Sequence, residues 1–190
     1  MVGAGVLPAC IYNGELHFLF GKEQAIDENQ GWSDFGGGVD EGESPLQGAA
    51  REGTEETSGF LGSVESMKER LAKGTVHLQW KQYHTFVFKL DHDPSFPFYF
   101  NNNQRLLRSR LNPKSMHETT IFEKAQIRWV PLREVRQMHK KRVFRDFYNN
   151  VVAMLLTPSM LQHVGRLLRQ KGKRTHRQQK QKRRRTHRRH

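Results

Sequence analysis

The sequence predicts an α/β domain, because segments with strand periodicity alternate with segments that carry helix signals. An apolar run from Val6 to Tyr12 is followed by Asn13-Gly14 and then by a second strand pattern that begins at Leu16. Two such patterns around Asn-Gly predict a β-hairpin closed by a tight turn. A length of 190 residues suits one ordinary domain.

A helix is predicted from Pro45 to about Thr57. Ser44 is a good N-cap, Pro45 suits the first helical position, and Gln47 completes the capping-box spacing. Gly59 is expected near the end of this helix. The residues that recur at helical spacing, and that should form its buried stripe, are Leu46, Ala49, Ala50 and Gly53.

The other elements follow from the same patterns. The predictions are a strand at 32–35 ended by three glycines, a helix at 63–72, strands at 76–80 and 83–90, a turn-rich segment at 92–97, a helix or loop at 101–112, a strand at 127–130, and helical segments at 144–156 and 161–168. Pro158 is expected to interrupt the segment at 144–156.

The charge of the chain is concentrated at one end. Residues 171–190 hold eleven Lys or Arg and no acid, whereas the preceding residues carry 21 basic and 19 acidic side chains. The pI of about 10.2 therefore reflects this end of the chain. Because it contains no core-forming residues, the predicted organisation is a domain at 1–170 and a disordered basic tail at 171–190.

Cysteine usage and hydropathy indicate the compartment. Cys10 is the only cysteine, so an intramolecular disulfide and a Cys-based zinc site are both excluded. The first residues lack the features of a signal peptide, and no run approaches the ~18 apolar residues of a membrane span. The prediction is a soluble intracellular protein without a membrane partner, with cytoplasm and nucleus both open.

Three glutamates in the predicted helix suggest chemistry. Glu52, Glu55 and Glu56 stand at i, i+3 and i+4, so their carboxylates crowd one face. Like charges in this arrangement are destabilising unless a cation such as Mg²⁺ neutralises them. Arg51 is placed to pair with Glu43 or with a helix carboxylate. An isolated Glu-rich turn is commonly a solvated surface, so the wider spacing matters.

That wider spacing resembles the signature of the Nudix hydrolases, GX5EX7REUXEEXGU, in which U is aliphatic. The matching residues are Gly37, Glu43, Arg51, Glu52, Glu55 and Glu56. Two positions depart from it: Gly53 occupies the aliphatic position, and Ser58 stands where the signature has glycine. The segments GWSDFGGG and EGTEETSGFLG are also similar to Nudix proteins of large DNA viruses.

The resemblance implies an α/β/α sandwich with a mixed β-sheet and Mg²⁺-dependent (or Mn²⁺-dependent) hydrolysis of a diphosphate linkage in a nucleoside diphosphate linked to a group X. Water attacks phosphorus while the metal ion neutralises developing charge. The implied metal ligands are Glu52, Glu55, Glu56 and the backbone carbonyl of Gly37. Glu43 is implied either as a further metal ligand or as a partner of Arg51. The implied catalytic set is Glu55 or Glu56 at the water, Arg51 as their partner, and Glu123, preferred over Glu118, as a base outside the signature.

The substrate and the tail leave alternatives open. Phe98 and Tyr99, in a turn-rich segment, are the candidates for stacking on a base, while Trp80 is expected in the core. The tail is expected to bind RNA, to direct nuclear import or to solubilise the chain. Capped RNA, a small nucleotide derivative and a diphosphoinositol polyphosphate are the substrate candidates. The rival class is a Nudix-like module that binds RNA or a nucleotide without turnover.

Overall fold

A mixed seven-stranded sheet lies between two helical layers in the computed structural model, which describes residues 1–24, 30–112 and 123–170. The strands are β1 (Gly3–Tyr12), β2 (Glu15–Glu23), β3 (Trp32–Ser33), β4 (Phe35–Gly38), β5 (Thr75–Trp80), β6 (Tyr83–Lys89) and β7 (Lys124–Pro131). The helices are α1 (Pro45–Glu56), α2 (Val64–Ala72), α3 (Ser95–Arg110), α4 (Leu132–Lys140), α5 (Asp146–Leu155) and α6 (Pro158–Arg169). The expected sandwich is confirmed; Glu118 and the basic tail lie outside the described residues.

Strand β1 is the centre of the sheet. It pairs in parallel with β6 on one edge, and on the other edge it pairs antiparallel with β2 and then with β4. Strand β7 extends the sheet beyond β2, and β5 extends it beyond β6. The predicted hairpin is confirmed, since Asn13 and Gly14 have φ values of 49° and 80°, as a tight primed turn requires.

The glycines of β4 correct the expectation that they would end a strand. Gly36, Gly37 and Gly38 continue the antiparallel ladder with β1, opposite Gly5, Ala4 and Gly3. Ladder hydrogen bonds use backbone groups only, so glycine does not prevent the pairing. The result is a glycine strand, Gly36 to Gly38, that follows the buried Phe35 and has no side chains beside helix α1.

Helix α3 confirms the helix alternative at 101–112 and begins earlier, within the segment at 92–97 that was expected to be turn-rich. Its start is fixed by Asp93, whose carboxylate accepts hydrogen bonds from the Ser95 amide (2.8 Å) and hydroxyl. Proline is tolerated in the first turn of a helix, so Pro97 does not break it. The expected break at Pro158 is confirmed, because α5 ends at Leu155 and Pro158 occupies the first turn of α6.

Two hydrophobic cores cover the two faces of the sheet. One lies beneath α4, α5 and α6 and includes Phe20, Tyr148 and Leu155. The other lies beneath α1, α2 and α3 and includes Ala50 and Phe100. Across the described ranges no single helix has the length and apolar character to cross a membrane; by those criteria alone α5 and α6 pass only as a pair, bent by 76°.

A buried carboxyl group sits between the cores. Asp34, fully buried, accepts hydrogen bonds from the hydroxyls of Tyr83 and Thr85, each at 2.7 Å. Burial raises its pKa from 3.8 to about 6, and the two hydrogen bonds oppose that rise only in part.

This pKa predicts a pH-dependent stability. Between pH 3.8 and about 6 the folded protein keeps a proton on Asp34 that the unfolded chain has lost, so stability falls as pH rises through this window. Relative to the wild type, Asp34→Asn should gain roughly 3 kcal/mol between pH 4 and pH 7. Urea unfolding of both proteins across this range measures the gain. Unfolding free energies that differ by the same amount at every pH would contradict this prediction.

Candidate active site

Helix α1 positions the predicted glutamates against strand β4. The capping box at its start is confirmed, with the Ser44 side chain accepting from the Gln47 amide and the Gln47 side chain accepting from the Ser44 amide. Ala49, Ala50 and Gly53 are buried towards the sheet. The opposite edge of the helix therefore carries its carboxylates along β4.

Gly53 departs from the family signature for a steric reason. A Cβ atom at this position would lie 2.4 Å from Cγ2 of Val6 in β1, so an aliphatic side chain has no room there. The helix and the central strand consequently approach more closely than an aliphatic residue would permit.

This contact predicts that Gly53→Ala destabilises the protein. Alanine improves helix propensity by about 1 kcal/mol, but overpacking against Val6 costs typically 1–3 kcal/mol. We expect a net loss of roughly 1 kcal/mol in the free energy of unfolding, measured by urea denaturation. In the double variant Gly53→Ala/Val6→Ala the overpacking is relieved, so it should lose less stability than the sum of the two single variants. A loss equal to that sum would contradict the steric explanation.

Ser58, the second departure, keeps the backbone conformation that glycine would adopt. Its φ is 51°, in the left-handed region, and Gly59 follows at 70°. The Ser58 hydroxyl accepts a hydrogen bond from Gln104 Nε2 at 3.2 Å, which ties the end of α1 to α3. Helix α1 thus ends in the left-handed conformation that the signature glycine would adopt, although the residue at this position is Ser58.

Arg51 is the hub of the site. Its guanidinium donates to the carbonyl of Gly38 (2.8 Å), to Glu43 Oε2 (3.1 Å) and to Glu52 Oε1 (2.8 Å). It also reaches Glu55 Oε2 at 3.4 Å and Asp40 Oδ2 at 3.3 Å. The hydrogen bond from Arg51 lowers the pKa of Glu43. One cation therefore holds four carboxylates and the end of β4 together.

Glu52 lies directly against the glycine strand. A Cβ atom at Gly37 would fall 2.6 Å from Glu52 Oε2, so only glycine leaves space for this carboxylate. Burial raises the pKa of Glu52, and Arg51 opposes that rise. The Val39 amide donates to the Val2 carbonyl, and the alternation of an antiparallel ladder then turns the Gly37 carbonyl towards β1.

Glu56 is turned into the protein. It is 4% exposed, accepts from the Gly36 amide at 2.7 Å and pairs with Lys124 Nζ at 3.1 Å. Burial raises its pKa well above the ordinary value, although Lys124 opposes the rise. Glu123 lies beside it and shares a hydrogen bond with it, and partial burial also raises the pKa of Glu123. Two adjoining carboxyl groups require a proton or a cation between them.

The sequence did not identify the partners on the inner side. Lys124 is completely buried and contacts both Glu56 and Glu23, and Arg145 pairs with the same Glu23 at 3.1 Å. Lysine is almost never buried unless it is paired, so its residue type alone gives no signal. The glutamates were predicted from spacing within one helix, whereas these contacts join β2, β7 and the start of α5.

A cavity of about 890 Å³ opens on the other side of the glycine strand, lined by Gly36, Gly37 and Gly38. Its wall includes the aromatic residues Trp80, Tyr83 and Phe147 and the basic residues Lys81, Arg142 and Arg145. Phe98 and Tyr99 are not part of this wall; they are 62% and 60% exposed on α3. The residues that line the cavity include neither the predicted glutamates, which lie on the α1 side of β4, nor the two predicted stacking residues.

The site has a large excess of negative charge. Around α1 it gathers seven carboxylates, and the cations that contact them are Arg51, Lys124 and Arg145. In the described part of the chain, no group of three or more ligating side chains already surrounds one point. The donor set is nonetheless all oxygen, which suits a hard divalent cation.

A sheet between two helical layers, with an Arg-anchored row of glutamates, defines a class of phosphoanhydride hydrolases. The chain belongs to the Nudix family, since residues 3–150 match the family model described as NUDIX domain. Nudix hydrolases act on pyrophosphate bonds of nucleoside diphosphate derivatives and generally use divalent metal ions.

The chain is also similar to individual known proteins. Over 67 residues the chain is 43% identical to the uncharacterized protein L534 of Acanthamoeba polyphaga mimivirus, a match covering 34% of this chain and only 22% of that protein. A bifunctional NMN adenylyltransferase/ADP-ribose pyrophosphatase from Francisella tularensis, complexed with AMP and a manganese ion, has a TM-score of 0.53 at 18% identity, covering 86% of this chain and 42% of the other. An Ap4A hydrolase of C. elegans has a TM-score of 0.48 at 16% identity, covering 85% and 97%.

Proposed function

We propose that this chain hydrolyses the pyrophosphate bond of a nucleoside diphosphate linked to a second group, with Mg²⁺ or Mn²⁺ as cofactor. The observation that carries the proposal is the position of Glu52 on the glycine strand, with the cavity on the other side of that strand. A diphosphate would meet these carboxylates at the free edge of β4, where the Gly36 amide contacts Glu56 and the Gly38 carbonyl contacts Arg51.

The metal ion would be held by Glu52 and Glu55, with Glu56 and Glu123 beside them. When bound, it would neutralise charge on the phosphate oxygens and promote the attack of water on phosphorus. Arg51 would keep Glu52 and Glu55 in place, and its strong bond to Glu43 makes that residue a partner of Arg51. A backbone ligand would come from Gly36 in preference to Gly37, because the ladder turns Gly37 towards β1.

The base that accepts the proton of the attacking water would be Glu55 or Glu123. Both retain exposed surface, and the Glu55 side chain is 42% exposed with a single long contact to Arg51. Glu56 is committed to Lys124 and to the Gly36 amide, which leaves it less free to exchange protons with solvent. A raised pKa at Glu123 suits a group that accepts a proton near neutral pH.

The cavity would bind the nucleoside or the group linked to it. Three aromatic side chains offer flat apolar surface for a base. Lys81 and Arg142 offer charge for phosphates, whereas Arg145 is paired with Glu23. Such a lining accommodates a base and more than one phosphate group, and it does not depend on Phe98 or Tyr99.

Capped RNA is the substrate that also gives the basic tail a role. Helix α6 ends at Arg169, and the carbonyl of Gln170 accepts from Lys89 Nζ at 3.4 Å, which places the tail's origin at the far end of β6 from Tyr83. Twenty residues can span at most about 70 Å, so the tail is long enough to reach the cavity. Eleven cations there would attract the phosphates of a long RNA.

The test is metal-dependent product release from cap-labelled RNA, free cap analogue, ADP-ribose, dinucleoside polyphosphates and diphosphoinositols. Release of the cap nucleotide from long RNA, with activity falling steeply between 50 and 200 mM salt, is the expected result. Deletion of 171–190 should weaken RNA binding while leaving turnover of small substrates nearly unchanged. Turnover of one small compound alone would show that the substrate is a metabolite and not RNA. A folded protein that hydrolyses none of these compounds would favour the binding-module alternative.

A further inference from the structure

Lys124 provides a cation inside the protein at one end of the glutamate row. It is the first residue of β7, and its side chain has no exposed surface. Its ammonium group contacts Glu23, lies 3.1 Å from Glu56 Oε1 and donates to Ser33 Oγ at 3.0 Å. All of its donors therefore point at oxygen atoms of three different structural elements.

The oxygen cage around this ammonium resembles the environment of a bound metal ion. Glu23 and Glu56 are each 4% exposed, and Ser33 is 2% exposed. Two buried carboxylates facing each other are unstable without a cation between them. Arg145 touches Glu23 from the side of the cavity, but Lys124 is the cation that contacts both carboxylates.

We propose that Lys124 is a positioning residue that occupies an internal cation site and so limits the metal ions that the protein binds. The proposal rests on the proposed metal-dependent function. Both oxygens of Glu56 already accept from protein donors, Lys124 on one side and the Gly36 amide on the other. A divalent ion on the inner side of Glu56 would adjoin the ammonium and be repelled by it. Exogenous ions are therefore kept out of the space between Glu23 and Glu56.

The consequence concerns stoichiometry. With Lys124 in place, Glu56 is neutralised and held still whether or not the outer metal is bound. Without the ammonium, Glu23, Glu56 and the Ser33 hydroxyl would form an all-oxygen site of the kind that Mn²⁺ and Mg²⁺ prefer. Loss of the lysine should thus create a metal site where none is available to the wild type.

The experiment counts Mn²⁺ ions on the full chain by electron paramagnetic resonance of free Mn²⁺, for wild type and for Lys124→Met. We expect the variant to bind one ion more per chain than the wild type. Saturating Mn²⁺ should also raise its Tm by several degrees more than it raises that of the wild type. A variant that folds only when Mn²⁺ is added would support the proposal in the same way.

Two controls make the result decisive. Glu23→Gln/Lys124→Met removes one carboxylate together with the cation, so it should fold without Mn²⁺ and lose the additional ion. Lys89→Met changes an exposed lysine far from the site and should match the wild type in both measurements. Equal ion counts in wild type and Lys124→Met, or a variant that Mn²⁺ does not stabilise, would overturn the proposal. If the wild type binds no ion and Lys124→Met binds one, the outer metal site is refuted but the role of Lys124 is supported.

Discussion

Replacing Glu55 by Gln is expected to reduce metal-dependent turnover by on the order of 100-fold or more while leaving the fold intact. Glu55 presents 42% of its side-chain surface to solvent, and its contact with Arg51 is 3.4 Å long. The amide keeps the shape of the side chain but removes the negative charge that a metal ligand or a base must supply. Substitutions at such exposed positions usually change stability by less than about 0.5 kcal/mol.

The measurement is kcat at saturating Mg²⁺, with Tm recorded for the same preparations. Glu69→Gln is the matched control, because it makes the same chemical change on the exposed surface of α2. Its activity should equal that of the wild type. If Glu55→Gln retained full turnover, Glu55 would be neither ligand nor base, and Glu123 would become the residue to replace.

The parts of this site that lie within one local segment were predictable from the sequence. The Ser44 cap and the spacing from Arg51 to Glu56 are local properties of a helix, and helical geometry alone places the glutamates on one edge. The hairpin at Asn13-Gly14 is similarly local, because two residues fix the turn. Such features depend on residues close in the sequence and do not require contacts with the rest of the chain.

The inner half of the site was not predictable because it depends on distant contacts. Lys124 is 101 residues from Glu23, and the two are buried together only because β7 pairs with β2. The cavity wall joins β6 to the start of α5, so Tyr83 and Phe147 reveal their shared role only after the sheet has formed. Phe98 and Tyr99 are predicted as stacking residues of a turn-rich segment, whereas they lie on helix α3, whose first amide donates to the Asp93 carboxylate.

Arg51→Met should destabilise the protein and make it dependent on divalent ions. The substitution removes the positive charge that contacts Asp40, Glu43, Glu52 and Glu55, and leaves those carboxylates to repel one another. Breaking a buried ion pair typically costs 3–5 kcal/mol, and Arg51 is 21% exposed, so we expect a loss of about 2–3 kcal/mol. For a domain of this size that loss lowers Tm by roughly 5–10 °C.

The dependence on metal separates this explanation from a simple packing defect. Added Mg²⁺ should raise the Tm of Arg51→Met more than that of the wild type, because an ion near Glu52 and Glu55 restores part of the missing positive charge. Arg133→Met is the control, since Arg133 is 76% exposed, pairs with Glu15 away from the site and should respond as the wild type does. A variant as stable as the wild type, or one that Mg²⁺ does not help, would show that the carboxylates do not share the charge of Arg51. In that event the glutamate row would be a solvated surface of α1, and its spacing would no longer support a metal site.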